Sequence, residues 1–250
     1  MPKKSKGKYL YCIAKGGCPV NFKGSGIEGE SVYAVTHNGL AAMVSDSPVE
    51  KYSVTKENLL THQRTVEEIM KKHYILPVSF GTVVDNEKRL LELLRNRRDE
   101  FENALGRLKD KVELGVKAFW LDMGVALKEI AQSSPEIKKL QYRVKQGGAL
   151  NRAAAIKAGE LMANLLVERR KNLSEQLLFP LQKITEESKD NKLFGDQMIL
   201  NSAFLIKRSR LQEFDNCIND IASRVEKNVR IKYFGPVPPN NFVDLRISSI

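Results

Sequence analysis

Ile-Leu-Pro-Val-Ser-Phe-Gly-Thr-Val-Val, residues 75–84, is the stretch that decides the fold of this chain. Its apolar and β-branched residues predict a strand that is buried on at least one face. Because further strands are predicted on both sides of it, we expect a central strand of a sheet. Pro77 has no N–H to give to a sheet ladder, so it should lie at the strand entrance or at a bulge. Gly81 lacks a Cβ atom, which allows a close approach to its backbone.

The elements around this stretch predict an N-terminal α+β domain, residues 1–122. Alternating residues predict strands, an Asn-Gly pair at residues 38–39 predicts a hairpin, and apolar residues at helical spacing predict helices. The first helix should bury Leu59, Val66, Ile69 and Met70, and the second should begin at Asp85 as its N-cap. The predicted strands are Lys8–Ala14, Val32–Thr36, Leu40–Ser45 and Val112–Leu121, and the predicted helices span residues 55–72 and 86–108.

The remainder of the chain predicts a helical linker region, residues 123–187, and a C-terminal β-α-β domain, residues 197–250. One long helix is expected from Leu150 to about Phe179, where Pro180 should kink or end it. Residues 186–195 are polar and predict a connector without regular structure. Residues 235–242 are rich in proline and predict a stiff, extended segment that places Phe242 at a specific position.

Composition and charge favour a globular protein of the cytoplasm. The net charge is +11, and part of it lies in a basic tail, residues 1–8. Elsewhere acidic residues are interleaved with the basic ones, which is more typical of a solvated surface than of a nucleic-acid site. The apolar run Tyr9–Ala14 is too short for a signal peptide, and no run approaches the ~20 apolar residues of a membrane span. The three cysteines, Cys12, Cys18 and Cys217, lack metal or redox spacing.

The motifs that carry chemistry elsewhere do not predict an enzyme here. Residues 24–29 match Gly-x-Gly-x-x-Gly, but a strand follows them instead of the helix that a dinucleotide site requires. His37, His62 and His73 have no partners at the spacing of a zinc site. We therefore expect no catalytic residue, no cofactor and no metal.

Binding of nucleic acid is the alternative function. The order of the first strands and helix invites comparison with RNA-recognition sheets, which stack bases on exposed aromatic side chains. The aromatic and basic string that marks those sheets is absent, and Tyr9, Tyr11, Phe119 and Trp120 alternate with aliphatic residues. A basic α+β protein that binds nucleic acid thus remains the second hypothesis, and no nucleic acid is expected as the main partner.

Two motifs in this chain resemble those of the gas vesicle protein F and L family. Residues 76–83, Leu-Pro-Val-Ser-Phe-Gly-Thr-Val, are similar to its Leu-Pro-x-x-Phe-Gly-Thr signature, and residues 235–243 are similar to its closing Gly-Pro-x-Pro-Pro-x-x-Phe motif. The glutamate-led strand at Glu113, the opening Tyr9–Ile13 and His62 also resemble the family. Many members carry Arg at the position of Ser79 and aromatic residues at those of Val237 and Asn240.

The resemblance implies an accessory protein for gas vesicle assembly. It implies two ferredoxin-like α+β domains joined by the helical middle section with its long helix. It also implies binding to the small hydrophobic shell protein, and possibly to other gas vesicle accessory proteins, without a membrane, in the cytoplasm and in association with the vesicle. The candidate structural or partner-binding residues come from the matched motifs: Pro77, Phe80, Gly81, Thr82, Glu113, Gly235, Pro236, Pro238, Pro239 and Phe242.

Overall fold

The computed structural model describes residues 7–16, 21–48, 51–145, 149–243 and 247. Most of the basic tail, Cys18 and the Gly147-Gly148 pair lie outside these residues. The first part of the chain folds into an antiparallel sheet and three helices. In chain order its elements are β1 (Gly7–Lys15), β2 (Asn21–Ser25), β3 (Ser31–His37), β4 (Leu40–Ser47), α1 (Lys56–Met70), β5 (Ile75–Pro77), β6 (Val83–Val84), α2 (Glu87–Asn96) and α3 (Arg98–Leu108).

The predicted hairpin is confirmed as β3 and β4, which pair antiparallel. Asn38 and Gly39 connect them with φ values of 44° and 85°. Both values are positive, as a two-residue turn that matches the twist of the strands requires. β4 continues along β1, and a bulge between Leu10 and Cys12 interrupts their register. Residues 9–14 of β1 are fully buried, so both faces of this strand are covered.

Residues 75–84 do not form the central strand that the sequence predicts. The sheet order is β2-β3-β4-β1-β5, with β6 also paired to β1, so the stretch lies at the edge. It is divided into two short strands that pair antiparallel with the two ends of β1. The prediction was wrong because apolar density reports burial of the two faces of a strand, and helices bury the faces of an edge strand equally well.

The helices of this sheet differ from the prediction in detail. Asn86, not Asp85, caps α2, and its side chain accepts the backbone N–H of Arg89 at 3.0 Å. The single helix predicted over 86–108 is two helices that meet at Arg97. On α1, Val66, Ile69 and Met70 are buried as predicted, but Leu59 is 41% exposed. The apolar stripe of α1 therefore extends beyond the part that the core covers.

The second half of the chain builds a four-stranded sheet with the order β10-β7-β9-β8. The strand predicted to end the N-terminal domain, β7, lies inside this sheet, and β8 occupies part of the predicted polar connector. β9 and β10 are not neighbours, because β7 lies between them. The elements are β7 (Lys111–Trp120), α4 (Met123–Ser133), α5 (Pro135–Lys145), α6 (Ala149–Gln182), β8 (Glu187–Asp190), β9 (Met198–Lys207), α7 (Leu211–Arg224) and β10 (Val229–Val237).

The chain forms two compact units, whose limits differ from the predicted domains. Unit 1 contains residues 1–113 and 236–250, and unit 2 contains residues 114–235. The predicted boundary at residue 122 fails because β7 pairs within the second sheet. Helices α4 to α6 are part of unit 2 and not a linker, since α6 packs against β9 and α7. The closing segment belongs to unit 1, although it follows the last strand of unit 2 directly.

The predicted α+β class is confirmed, with helices and antiparallel sheet in the same chain. Unit 1 departs from the predicted ferredoxin-like order, because four strands precede its first helix instead of one. Cys12 is buried and Cys217 is half-buried. Among the described residues, no helix combines the length and the apolar character needed to cross a bilayer.

Candidate partner-binding site

The first motif forms an outward excursion of the sheet edge. Val78 donates its backbone N–H to Tyr11 O at 3.0 Å, and Leu10 donates its N–H to Thr82 O at 2.9 Å. Tyr11 and Leu10 are adjacent on β1, so residues 79–81 have no counterpart on that strand. The hydroxyl of Thr82 closes the excursion by donating to Ser79 O at 2.8 Å. Gly81 has a φ of +81°, a backbone conformation that favours glycine.

A buried tyrosine and histidine hold this excursion. Gly81 donates its N–H to the Tyr9 hydroxyl at 3.0 Å, and that hydroxyl lies 2.9 Å from His62 Nδ1. His62 Nε2 lies 3.1 Å from Val78 O, which can only accept. His62 Nε2 therefore carries the proton, and Tyr9 donates to the unprotonated Nδ1. β1, α1 and the excursion are thus joined by one continuous chain of hydrogen bonds.

Burial keeps the two side chains of this network uncharged. Loss of solvation lowers the pKa of His62 to about 4, although its bond to Val78 O opposes the change. Burial also raises the pKa of Tyr9 well above its ordinary value. Both groups are therefore neutral at physiological pH, and Tyr9 keeps the proton that it donates. A neutral, mutually hydrogen-bonded pair of this kind is suited to holding a buried turn.

Phe80 is the side chain that the excursion presents. Its ring lies 5.9 Å from His62 and 6.3 Å from Tyr9, both edge-on, and it is half-buried. Ser79 beside it is exposed. Leu59 lies one helical turn from His62 on the same stripe of α1 and is also exposed. We call Leu59, Ser79 and Phe80 the Phe80 surface.

The closing motif is held by a second set of contacts in unit 1. The carboxylate of Glu113 accepts the backbone N–H of Asn241 at 2.8 Å and its side-chain N–H at 2.5 Å. The guanidinium of Arg107 donates to Phe242 O. Phe242 is 4% exposed, so the segment ends with a buried aromatic anchor. The predicted specific position of Phe242 is thereby accounted for.

The structure separates the predicted site residues into two groups. Pro77, Phe80, Gly81 and Thr82 lie at the excursion. Glu113 binds Asn241 in the closing segment, where Pro238, Pro239 and Phe242 are buried. Gly235 and Pro236 are exposed and belong to β10, so this part of the motif is regular structure, contrary to the prediction.

Sequence reasoning missed the residues that hold these motifs. The sequence assigns Tyr9 and His62 no role in holding the motifs, and it does not distinguish Arg107 or Asn241 from their neighbours. A polar residue in the apolar stripe of a helix can indicate a buried hydrogen-bonding side chain. His62 fits this pattern, because Val66 and Ile69 follow it at helical spacing. Arg107 gives no such signal, because it resembles the other charged residues of α3.

The glycine-rich segment also has a structural explanation. A Cβ atom on Gly26 would lie 2.1 Å from the Tyr11 hydroxyl, so only glycine fits there. This close approach lets Ile27 donate its N–H to that hydroxyl at 2.8 Å. The segment then leads into β3. Gly26 therefore allows packing against Tyr11, and the segment is not the loop before a helix that phosphate binding needs.

The fold and the site define an α+β protein in two units that presents fixed surface motifs. Among the described residues, no group of three His, Cys, Asp or Glu side chains is placed to hold a metal ion. The chain belongs to the gas vesicle synthesis protein GvpL/GvpF family, whose model matches residues 7–244.

Individual relatives cover almost the full chain. Gas vesicle protein F of Nostoc sp. is 26% identical over 244 residues, which are 96% of this chain and 99% of the relative. Gas vesicle protein F of Haloferax mediterranei is 26% identical, covering 88% of this chain and 85% of its own. The crystal structure of GvpF from Anabaena sp. superposes with a TM-score of 0.88 at 26% identity, over 97% of this chain and all of the other. That of GvpF from Microcystis aeruginosa gives 0.81 at 25% identity, over 96% and 99%.

Proposed function

We propose that this chain is an accessory protein of gas vesicle assembly that binds the small hydrophobic shell protein at the Phe80 surface. Binding would assist nucleation or growth of the vesicle wall. Membership in a family named for gas vesicle synthesis supports the general role. The observation that carries the specific site is the half-exposed Phe80 on a backbone excursion that Tyr9 and Thr82 hold in place.

The geometry supports binding because the anchor is ordered before the partner arrives. Aromatic side chains contribute strongly to protein interfaces when they enter a pocket of the partner. A fixed backbone lowers the entropy that must be lost on association. A shell subunit with an apolar face aggregates unless another protein covers that face, and Leu59 extends the apolar area on this side of unit 1.

Retention of purified shell protein on the immobilised full chain tests the proposal. We expect Phe80→Asp to lower the retained amount by about tenfold or more, since a charge would replace the aromatic ring that contacts the partner. Leu59→Asp should act in the same direction while leaving the contacts of Phe80 with Tyr9 and His62 intact. Phe194→Asp is the matched control, because Phe194 is 68% exposed in unit 2.

Two results would contradict the site. Equal retention by the Phe80→Asp, Leu59→Asp and Phe194→Asp chains would exclude the Phe80 surface. Absence of retention by the unaltered chain, with both proteins soluble, would exclude shell-protein binding itself. Hydrogen exchange of residues 78–82 in each variant separates loss of the surface from loss of the excursion.

Three narrower statements belong to the same proposal. Unit 2 is ferredoxin-like, an assignment supported by its order β-helices-β-β-α-β and by β7 lying between β10 and β9. The protein acts without catalysis. It works in the cytoplasm in association with the gas vesicle and its other accessory proteins.

A further inference from the structure

The edge strands of the two sheets differ in how completely they are protected against pairing with another chain. Exposed edges are commonly shortened, charged or interrupted by proline. β5 contains three residues and ends in Pro77, and β8 contains four, all exposed, among them Glu187, Lys189 and Asp190. β10 contains nine residues and forms the end of its sheet, and its last part is interrupted by Gly235, with a φ of +124°, and by Pro236. The stretch before them, residues 229–234, is uninterrupted and is longer than β5 or β8, so it can pair with a strand from another protein.

The register of β10 identifies its outward backbone groups. Leu121 donates its N–H to Asn228 O at 2.8 Å, and the Phe234 ring lies where a Cβ atom of Gly115 would be. Both contacts fit one antiparallel register, in which Arg230, Lys232 and Phe234 direct their backbone groups toward β7. The N–H and C=O groups of the alternate residues, Ile231, Tyr233 and Gly235, then point away from the sheet.

None of these three outward residues is proline, so each has an N–H to donate. Among the described strands, none pairs with this side of β10. On β5, Val78 and Leu76 direct their backbone groups toward β1, so the residue between them, Pro77, faces away from the sheet and has no N–H to donate. The edge of β10 thus keeps the donors that the edge of β5 lacks.

The side chains on one face of this edge are cationic and aromatic. The register places Lys117 opposite Lys232, and like charges in that position are destabilising. Lys117 lies over the Phe234 ring at 5.5 Å, and Lys232 lies over Phe119 at 5.4 Å. Arg230 and Lys232 are exposed, and Phe234 is 45% exposed. In the described part of the chain, Lys117, Arg230 and Lys232 form no ion pair with a carboxylate.

We propose that the edge of β10 binds an extended acidic segment of a partner protein, which joins the sheet as an additional strand. Main-chain bonds to Ile231, Tyr233 and Gly235 would hold the segment. Acidic side chains at alternate positions of the segment would face Arg230 and Lys232, because every second residue of a strand lies on one face. This site is separate from the Phe80 surface and does not depend on the shell protein being the partner.

The edge favours a polypeptide over RNA. A row of N–H and C=O groups at two-residue spacing matches the backbone of another strand, whereas RNA would use the aromatic face and the positive charge. The two occupants therefore differ in the atoms that they need. An RNA requires Phe119 and Phe234 to be accessible, and an added strand requires the outward N–H groups.

Binding of a fluorescein-labelled peptide of alternating Glu and Val residues to the full chain, followed by anisotropy, tests the proposal. Ile231→Pro should weaken binding by about tenfold or more, because it removes one outward N–H and leaves the bonds to β7 in place. Ile231→Val is the matched control and should bind as the unaltered chain does. Lys232→Glu should weaken binding to a similar extent through charge repulsion.

Further peptides and an oligonucleotide complete the test. A Glu-Val peptide with methyl groups on alternate backbone nitrogens, and a Lys-Val peptide, should both bind at least about tenfold more weakly. Fluorescence of Trp120, which is buried in unit 2, establishes that each variant is folded. Equal affinity of the folded Ile231→Pro and Ile231→Val chains overturns the proposal. So does tight, strongly salt-dependent binding of oligouridylate that displaces the peptide.

Shell-protein retention distinguishes this inference from the proposed function. If Ile231→Pro abolishes peptide binding but Phe80→Asp leaves the shell protein bound, only the Phe80 site fails. If the Glu-Val peptide binds Ile231→Pro normally while Phe80→Asp loses the shell protein, only the strand-addition proposal fails.

Discussion

The two sheets end in edges of opposite character. The edge of unit 1 is short, carries Pro77 where an outward N–H would lie, and is interrupted by the excursion of residues 79–81. The edge of unit 2, β10, is nine residues long and is uninterrupted from Val229 to Phe234. The first edge therefore presents a side chain, Phe80, and the second presents backbone groups. Two edges in one chain can thus serve two different kinds of contact.

The largest loss of stability is expected from Tyr9→Phe, at the edge of unit 1. The hydroxyl of Tyr9 is the hydrogen-bond partner of both Gly81 N and His62 Nδ1, so its loss leaves two polar groups without that bond. We expect the free energy of unfolding to fall by about 3 kcal/mol and exchange of the 78–82 amides to accelerate. Urea unfolding and hydrogen exchange measure these changes.

Tyr74→Phe is the control for that variant. The Tyr74 hydroxyl bonds to Asp110 at the surface, and its removal should change stability by about 0.5 kcal/mol or less. If Tyr9→Phe and Tyr74→Phe have the same small effect, the Tyr9 network does not hold the excursion.

Lowering the pH should reduce the free energy of unfolding, because His62 lies beneath the edge of unit 1. The pKa of His62 is about 4 in the folded chain and 6.5 in its unperturbed form. The unfolded chain therefore binds the proton more readily, and stability falls as the pH decreases from about 6.5 to about 4. The loss approaches about 3 kcal/mol at the lower limit. His62→Gln should be less sensitive to pH by that amount in urea titrations at pH 7 and pH 4, and an identical pH dependence in both chains would refute the assignment.

Gly115→Ala perturbs the second edge. Its Cβ atom would lie 2.0 Å from the Phe234 ring, so the ring must leave its place on the sheet. Phe234 is 45% exposed, so its ring can move toward solvent, and we expect a loss of about 1 kcal/mol, read from Trp120 fluorescence during denaturation of unit 2. Gly159→Ala is the control in the same unit, because its Cβ meets nothing within 4 Å inside α6 and alanine favours the helix. Equal stability of both variants would show that Phe234 does not pack on Gly115.

Most elements could be predicted from local patterns. The Asn-Gly turn identified β3 and β4, and helical spacing identified α1 within a few residues. These signals arise from neighbouring residues and do not need the rest of the fold. The short polar strand β8 gave no such signal, because all four of its side chains are exposed.

The arrangement of the elements in space was harder to predict from the sequence. Nothing in the alternation of β7 indicates which sheet it joins, because pairing depends on distant strands. The resemblance identified the positions of both motifs, but it did not explain why these residues occupy them. That reason lies in Tyr9, His62 and Arg107, which are far from the motifs in sequence and close to them in the fold.

The most direct measurement of the central claim is buoyancy of cells in which only this chain is replaced by a variant. We expect cells without the chain, and cells carrying Phe80→Asp or Leu59→Asp, to lose floating, light-scattering vesicles, whereas cells carrying Phe194→Asp float normally. Equal amounts of folded protein must be present in each strain. Normal flotation with Phe80→Asp and Leu59→Asp would contradict the claim that this surface takes part in assembling the vesicle.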